Sequence, residues 1–129
     1  MATLNGVKIE FSTHDDNKDD DTRLDVSVKD RKNIFLSQEL AAAQDLAHNV
    51  EFVDPSVHEF DLPLSSQNVT LESLNIPVVE IGITPNGNDR WIFDYKTSLT
   101  FDDGNTFTAG QFGVILDQDN RHHVGLFTP

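Results

Sequence analysis

The chain has 129 residues and carries 22 acidic side chains against 9 Lys and Arg, which gives a formal net charge of −13. This excess of negative charge argues against nucleic acid and anionic membranes as direct partners, and the lack of cysteine excludes disulfides, thiolate catalysis and zinc–thiolate sites. With 37% hydrophobic and 24% charged residues, the composition is typical of a globular chain, and the length predicts a single domain over residues 1–129.

The first predicted strand covers residues 7–11, where the apolar Val7, Ile9 and Phe11 alternate with charged residues. Successive side chains of a strand point to opposite faces, so this alternation gives the segment one dry face and one wet face. The same period-two pattern recurs along most of the chain, and it predicts an all-β protein.

The segment at residues 15–21, DDNKDDD, contains five aspartates. Like charges at this density repel one another, and a bound divalent cation relieves that repulsion. Calcium takes roughly six to eight oxygen ligands in irregular geometry, whereas magnesium demands a near-octahedral site. The segment therefore predicts a Ca²⁺ site. Its predicted ligands are Asp15, Asp16, Asn17, Asp19, Asp20 and Asp21.

This acidic segment does not match the EF-hand loop. Counted from Asp15, the sixth position is Asp20 instead of glycine, and the twelfth is Val26 instead of glutamate. Other loops would have to complete the coordination of a bound ion. A solvated acidic loop that serves only solubility is the competing interpretation, and it stays open at this point.

The middle of the chain combines further strands with two helical predictions. The run SQELAAAQDLAH, from Ser37 to His48, is rich in helix formers and predicts a short helix. A single helical turn is predicted from Thr70 to Asn75, with Thr70 as its cap. Strands are predicted at 24–28, 33–37, 59–64 and 79–83.

The last part of the chain predicts an aromatic hairpin. The strand at 91–101 carries Trp91, Phe93 and Tyr95 on one face, which predicts that Trp91 lies in the core instead of stacking on a sugar. The sequence DDGN at 102–105 is a turn signal that joins this strand to the next one. The two remaining strands are predicted at 106–116 and 122–127.

Together these elements predict an antiparallel eight-stranded β-sandwich with one or two short helices in the connections. If the strands alternate in direction, four acid-bearing connections meet at one end of the sandwich. These connections are 14–22, 48–58, 85–90 and 117–121. They add Asp54, Asn88 and Asp89 to the predicted calcium ligands. The same acids are expected to raise the pKa values of His14, His48 and His58.

The first strand, the acidic segment and the later runs TRLDVSV and PNGNDRWIFDYKTSLTF resemble the layout of C2-like and PLAT-like calcium-binding β-sandwiches. The resemblance covers most of the chain and implies eight antiparallel strands with Ca²⁺ held by loops at one end. In those families the ion often bridges to lipid or to a partner. The 14–22 loop has no apolar residue that could insert into a membrane, so what the resemblance implies here is calcium binding without insertion.

The sequence predicts a binding protein and no enzyme. It contains neither a G-x-S-x-G nucleophile motif nor a glycine-rich phosphate loop. The adjacent His122 and His123 are expected to point to opposite faces of a strand, so they are poorly placed to share one metal ion. The acids that a small hydrolase could pair are Glu39, Glu51, Glu59 and Asp61.

The predicted function is a calcium-binding module whose loops are ordered by Ca²⁺, for stability or for recognition of a protein or carbohydrate ligand. The alternatives are a calcium-dependent carbohydrate-binding module, a non-metal scaffold or assembly subunit, and a small hydrolase. The N-terminus lacks a basic region followed by an apolar stretch, and no run of about 18 apolar residues occurs. The protein is therefore expected to be soluble, without a membrane span, and cytoplasmic or exported without a classical signal peptide.

Overall fold

Eight strands and one short 3₁₀ helix make up the regular structure of the described residues. The structure is a computed structural model that describes residues 2–13, 18, 22–33, 36–46, 51–52, 56–85 and 90–128. In chain order the strands are β1 (Leu4–Thr13), β2 (Arg23–Arg31), β3 (Ser37–Ala43), β4 (Ser56–Asp61), β5 (Ile76–Thr84), β6 (Arg90–Phe101), β7 (Thr106–Asp117) and β8 (His122–Leu126). The 3₁₀ helix, Leu71–Ser73, lies between β4 and β5.

The strands form two four-stranded sheets that pack face to face. The front sheet has the strand order β4-β1-β6-β7, and the back sheet has the order β3-β2-β5-β8. Every strand pair in both sheets is antiparallel. The predicted all-β, antiparallel, eight-stranded sandwich is therefore confirmed.

The alternating apolar side chains of the two sheets meet in one hydrophobic core. Ile9 and Phe11 of β1 are fully buried, and so are Leu24 and Val28 of β2 on the facing sheet. Burying a side chain of this size stabilises the fold by roughly 1.5–3 kcal/mol relative to leaving it in water. The period-two pattern thus determines which face of each strand turns inward.

Trp91 has the largest of the fully buried side chains. Its ring stacks on Phe93, with the ring centroids 3.9 Å apart, and it contacts Phe11 at a centroid distance of 5.2 Å. The indole N–H donates to Thr13 Oγ1 over 2.9 Å, so the polar atom of this core residue is satisfied. The prediction that Trp91 lies in the core is confirmed.

The helix predicted from Ser37 to His48 is wrong over its described part, because Ser37–Ala43 forms strand β3. This strand pairs with β2 on one edge, and on its other edge the Ala42 N–H donates to the Pro63 carbonyl over 3.2 Å. Helix propensities differ by less than about 1 kcal/mol per residue, so hydrogen bonds on both edges and burial against β2 outweigh them. Residues 47–48 lie outside the described residues.

The two strand predictions beside this region are displaced. The strand predicted at 33–37 is wrong, because β3 begins only at Ser37 and Asn33 Oδ1 accepts the Leu36 N–H in a turn before it. Residues 34–35 lie outside the described residues. The strand predicted at 59–64 is shifted, since β4 covers Ser56–Asp61.

The helical turn predicted at Thr70–Asn75 is confirmed as the 3₁₀ helix Leu71–Ser73, with Thr70 at its N-cap position. The Thr70 side chain makes no capping hydrogen bond; instead the Ser73 hydroxyl donates to the Thr70 carbonyl over 2.7 Å. In the part of the chain that the structure describes, helix is limited to these three residues, so no helix there could cross a bilayer.

The aromatic hairpin predicted for the last part of the chain is also confirmed. β6 and β7 pair along most of their length, and the Phe101 N–H donates to the Asn105 carbonyl across the turn. Gly104 adopts a φ of +90° in this turn, a conformation that favours glycine.

Candidate functional site

The predicted calcium ligands all fall on residues outside the described part of the chain. These are Asp15, Asp16, Asn17, Asp19, Asp20, Asp21, Asp54, Asn88 and Asp89. The strand ends that flank these residues are described, and their positions show which connections lie at the same end of the sandwich.

The four acid-bearing connections leave from the same end of the sandwich, which we call the loop pole. This follows from the register of the strand ends: Thr13 lies opposite Ser56 and Phe93, Arg23 opposite Thr84, Arg90 opposite Asp117, and Gly82 opposite His122. Within each sheet, the residues that flank 14–22, 85–90 and 117–121 therefore lie at the same end of the strands. The expected alternation of strand direction is confirmed.

Lys18, the one basic residue of the acidic segment, is 0% exposed. Its backbone exchanges two hydrogen bonds with Phe52, of 3.0 and 2.9 Å. Its ammonium lies 4.7 Å from the centroid of the Phe52 ring, a cation–π distance, and donates to the Thr22 carbonyl over 3.3 Å. The sequence did not predict this burial, because a lysine within a run of acids gives no signal for it.

His58 shares the Phe52 ring with Lys18. The imidazole stacks on Phe52 with the ring centroids 4.1 Å apart and the planes inclined by 15°. Burial lowers the pKa of His58, and the charge of the nearby Lys18 ammonium lowers that pKa further. The expected raising of this pKa by the acidic connections is therefore wrong for His58, whereas His14 and His48 lie outside the described residues.

The described carboxylates at the loop pole are engaged in local contacts. Asp25 Oδ1 accepts from the Arg23 Nε and from the Asp45 N–H, at 3.0 and 2.9 Å. Asp117 Oδ1 accepts the N–H groups of Asp119 and Asn120, at 2.9 and 2.8 Å. Among the described residues, no group of three His, Asp or Glu side chains is arranged to hold a metal ion. A cation site at this pole therefore depends on the residues of the acidic segment and its neighbouring connections.

The two adjacent histidines point to opposite faces of β8, as predicted. His123 Nε2 lies 2.9 Å from the Tyr95 hydroxyl at the edge of the core, whereas His122 Nε2 lies 3.5 Å from Glu80 Oε1 on the outer face of the back sheet. Burial lowers the pKa of His123, and the neighbouring His122 lowers it further. The two rings are thus placed in different environments and do not form one metal site.

The acids considered for a hydrolase are divided between the sheets. Glu59 and Asp61 lie on β4 of the front sheet, where Glu59 pairs with Lys8 over 3.3 Å. Glu39 lies on β3 of the back sheet, and Glu51 is an exposed residue outside the strands. The structure does not bring these four carboxylates together in one cleft.

A second candidate site, which the sequence analysis missed, is a groove of about 410 Å³ on the outer face of the front sheet. We call it the front groove. Its lining includes Glu10 and Ser12 of β1, Asp94 and Lys96 of β6, and Gly110 and Phe112 of β7. The Phe112 side chain is 86% exposed, the largest exposure among the big apolar residues that are described.

A β-bulge in β7 lies beside this groove. Phe93 pairs with Val114, and Tyr95 pairs with Gln111. Asp94, the single residue between Phe93 and Tyr95, therefore faces two residues of β7, Phe112 and Gly113. Gly113 adopts a φ of +67° at the bulge. The only sequence signal was the pair of glycines around Phe112 in GQFG, because glycine inside a strand marks a bulge or a close approach of backbones.

Comparison with known proteins adds no assignment. The chain matches no protein-family model, no curated protein and no solved structure. The resemblance to C2-like and PLAT-like sandwiches therefore stays a prediction, and function has to be argued from the loop pole and the front groove.

Proposed function

We propose that the protein is a non-enzymatic binding module that takes up Ca²⁺ at its loop pole, where the ion orders the loops for recognition of a partner. The observation that carries the proposal is the register of the strand ends, because it gathers the flanks of four acid-bearing connections at one end of the sandwich. Loops whose carboxylates and amides are distant in sequence therefore begin at neighbouring strands, which a metal site built from several loops requires.

Charge supports the same proposal. The segment 15–21 holds five aspartates and one lysine, so its formal charge is −5 + 1 = −4. Lys18 is fully buried against Phe52, and its single charge offsets only one of the carboxylates. A divalent ion with roughly six to eight oxygen ligands would offset two more and would satisfy their lone pairs. The resemblance to C2-like and PLAT-like sandwiches points to the same ion.

The placement of the candidate catalytic acids favours binding over catalysis. Glu39 lies on the back sheet, on a different sheet from Glu59 and Asp61. Glu59 and Asp61 lie two residues apart on the exposed face of β4, where both contact the Lys8 ammonium, at 3.3 and 4.0 Å. We therefore propose a binding role and assign no catalytic residue.

Thermal unfolding with Ca²⁺ and with chelator tests the proposal. A ligand that binds only the folded state at about 100 times its Kd stabilises that state by about 2.7 kcal/mol. For a chain of this size we expect the Tm in millimolar Ca²⁺ to exceed the Tm in EDTA by roughly 8 °C. Magnesium is expected to give a much smaller shift, because it tolerates irregular multi-loop sites poorly.

A matched pair of variants assigns the effect to the loop pole. Asp19→Asn with Asp21→Asn is expected to abolish most of the Ca²⁺-dependent shift in Tm. The control, Asp61→Asn with Asp102→Asn, removes the same number of charges at exposed positions of the opposite end, and it should leave the shift unchanged. An unchanged Tm of the unmodified protein between Ca²⁺ and EDTA would leave the acidic segment as a solvated loop on a scaffold.

A further inference from the structure

The exposed side chain of Phe112 lies at the β-bulge of β7. Single exposed apolar residues are common and need no explanation by themselves. At Phe112, however, the bulge inserts an extra residue opposite Asp94, and Asp94 Oδ1 accepts the Gly113 N–H over 2.8 Å. This contact fixes the backbone on the C-terminal side of the ring. Bulges commonly redirect a side chain, and here the ring stands on the outer face at the rim of the front groove.

Gly110 keeps the floor of the front groove open. Its position faces Lys96 across β6 and β7. A Cβ at residue 110 would lie 2.7 Å from the Tyr95 carbonyl oxygen, which is backbone and cannot give way. Any side chain is therefore excluded there, and the floor between Lys96 and Phe112 consists of backbone. A flat ligand can lie on this floor beside the aromatic ring.

The remaining walls carry hydrogen-bonding side chains. Glu10 lies opposite Lys96, and Ser12 lies opposite Asp94, in the register of β1 and β6. Both Glu10 and Lys96 line the groove, and the ion pairs of the described residues include neither of them. The whole chain carries a formal charge of −13, and this net negative charge disfavours anionic ligands such as phosphates or nucleic acid.

We propose that the front groove binds a neutral saccharide. The weakly polar C–H face of a pyranose ring packs on the exposed face of Phe112 and removes apolar surface from water. Sugar hydroxyls donate to the carboxylate of Glu10 and accept from the Lys96 ammonium, which are charge-assisted hydrogen bonds. The groove volume of about 410 Å³ falls within the roughly 300–1,000 Å³ of small-ligand sites.

This site shares no residue with the predicted calcium ligands. The groove residues lie within strands β1, β6 and β7, and their geometry is set by the β-ladder and the bulge. Saccharide binding is therefore expected to persist in EDTA. A failure of the calcium proposal would leave binding at the front groove intact, and a failure of saccharide binding would leave the calcium-dependent shift in Tm intact.

Affinity electrophoresis tests the proposal. The protein is run in native gels that contain EDTA and one soluble neutral polysaccharide each, from a panel of glucans, mannan, galactan and xylan. We expect at least one of them to retard the unmodified protein. Phe112→Ala should weaken that binding by about tenfold, the effect of losing one well-packed aromatic contact. Phe112→Trp should preserve or strengthen it, because the indole offers a larger apolar face.

Leu126→Ala is the matched control, since it also removes an exposed apolar side chain but from the outer face of the back sheet. It should leave retardation unchanged. Three results would overturn the proposal: no retardation by any polysaccharide in the panel, equal retardation of Phe112→Ala and the unmodified protein, or equal weakening by Leu126→Ala. Sedimentation equilibrium adds a further arm. A dimer that dissociates in Phe112→Ala would show that a second copy of the chain occupies this face, and it would overturn the saccharide proposal too.

Discussion

At the scale of single residues, Tyr95 connects the two sheets. It extends from β6 of the front sheet, and its hydroxyl lies 2.9 Å from Nε2 of His123 on β8 of the back sheet. The two rings meet edge to face, with centroids 5.3 Å apart. Burial raises the pKa of the Tyr95 phenol and lowers the pKa of His123, so both groups are held in their neutral forms near neutral pH.

Gly125 provides the space for this contact, and Gly125→Ala tests it. A Cβ at residue 125 would overlap the Tyr95 hydroxyl and would lie 3.2 Å from Val79 Cγ1. We expect chemical denaturation to show a loss of about 1–3 kcal/mol in the free energy of unfolding. Gly6→Ala is the control, because a Cβ at residue 6 would meet no atom within 4 Å, and it should change stability by less than about 0.5 kcal/mol. Similar stabilities of the two variants would contradict this account.

The histidine beside Lys18 predicts a dependence of stability on pH. The pKa of folded His58 lies below its usual value of 6.5, so the unfolded chain takes up this proton first as the pH falls. The free energy of unfolding therefore decreases as the pH drops through about 6.5 and below it. In His58→Phe, which keeps an aromatic ring on Phe52, the decrease between about pH 7.5 and about pH 5.5 should be smaller. Denaturation curves at both pH values measure it, and an equal decrease in both proteins would refute the assignment.

At the scale of elements, β3 shows that pairing decides the structure of a segment with helical composition. Ala41 and Ala42 contribute helix propensity but little side-chain surface, whereas both edges of β3 are hydrogen-bonded, to β2 and to the segment 63–65. Those partners are distant in sequence, so the local pattern contains no sign of them.

Ala42→Thr distinguishes the strand from a helix by the sign of its effect. Ala42 lies opposite Ser27 in the β2–β3 ladder and is partly exposed. A β-branched residue suits such a position, so we expect the free energy of unfolding to rise by up to about 1 kcal/mol. In a helix the same change would lower it by roughly 0.5 kcal/mol. Urea denaturation measures the difference, and a decrease would contradict the strand.

At the scale of the whole molecule, the sandwich and its loop pole could be predicted because both follow from alternation. The period-two segments around Phe11, Val26 and Phe93 fixed the strands, and alternating strand direction then placed the four connections at one end. The front groove could not be predicted in this way. A bulge changes the register by one residue between β6 and β7, and a hydrophobic pattern in a single strand does not record which partner residue it faces.

The segment 63–65, which is hydrogen-bonded along the outer edge of β3, has a consequence for the behaviour of the protein in concentrated solution. Unpaired strand edges are templates on which neighbouring molecules add their own strands. Along β3 that template is occupied, since the Ser65 N–H donates to the Leu40 carbonyl and the Ala42 N–H to the Pro63 carbonyl. At the corresponding border of the front sheet, β4 carries Glu59 and Asp61, whose charges repel an incoming chain. Amyloid-like strand addition is therefore disfavoured on this side of the sandwich. The backbone of β3 in the back sheet is already hydrogen-bonded, and β4 in the front sheet carries negative charge.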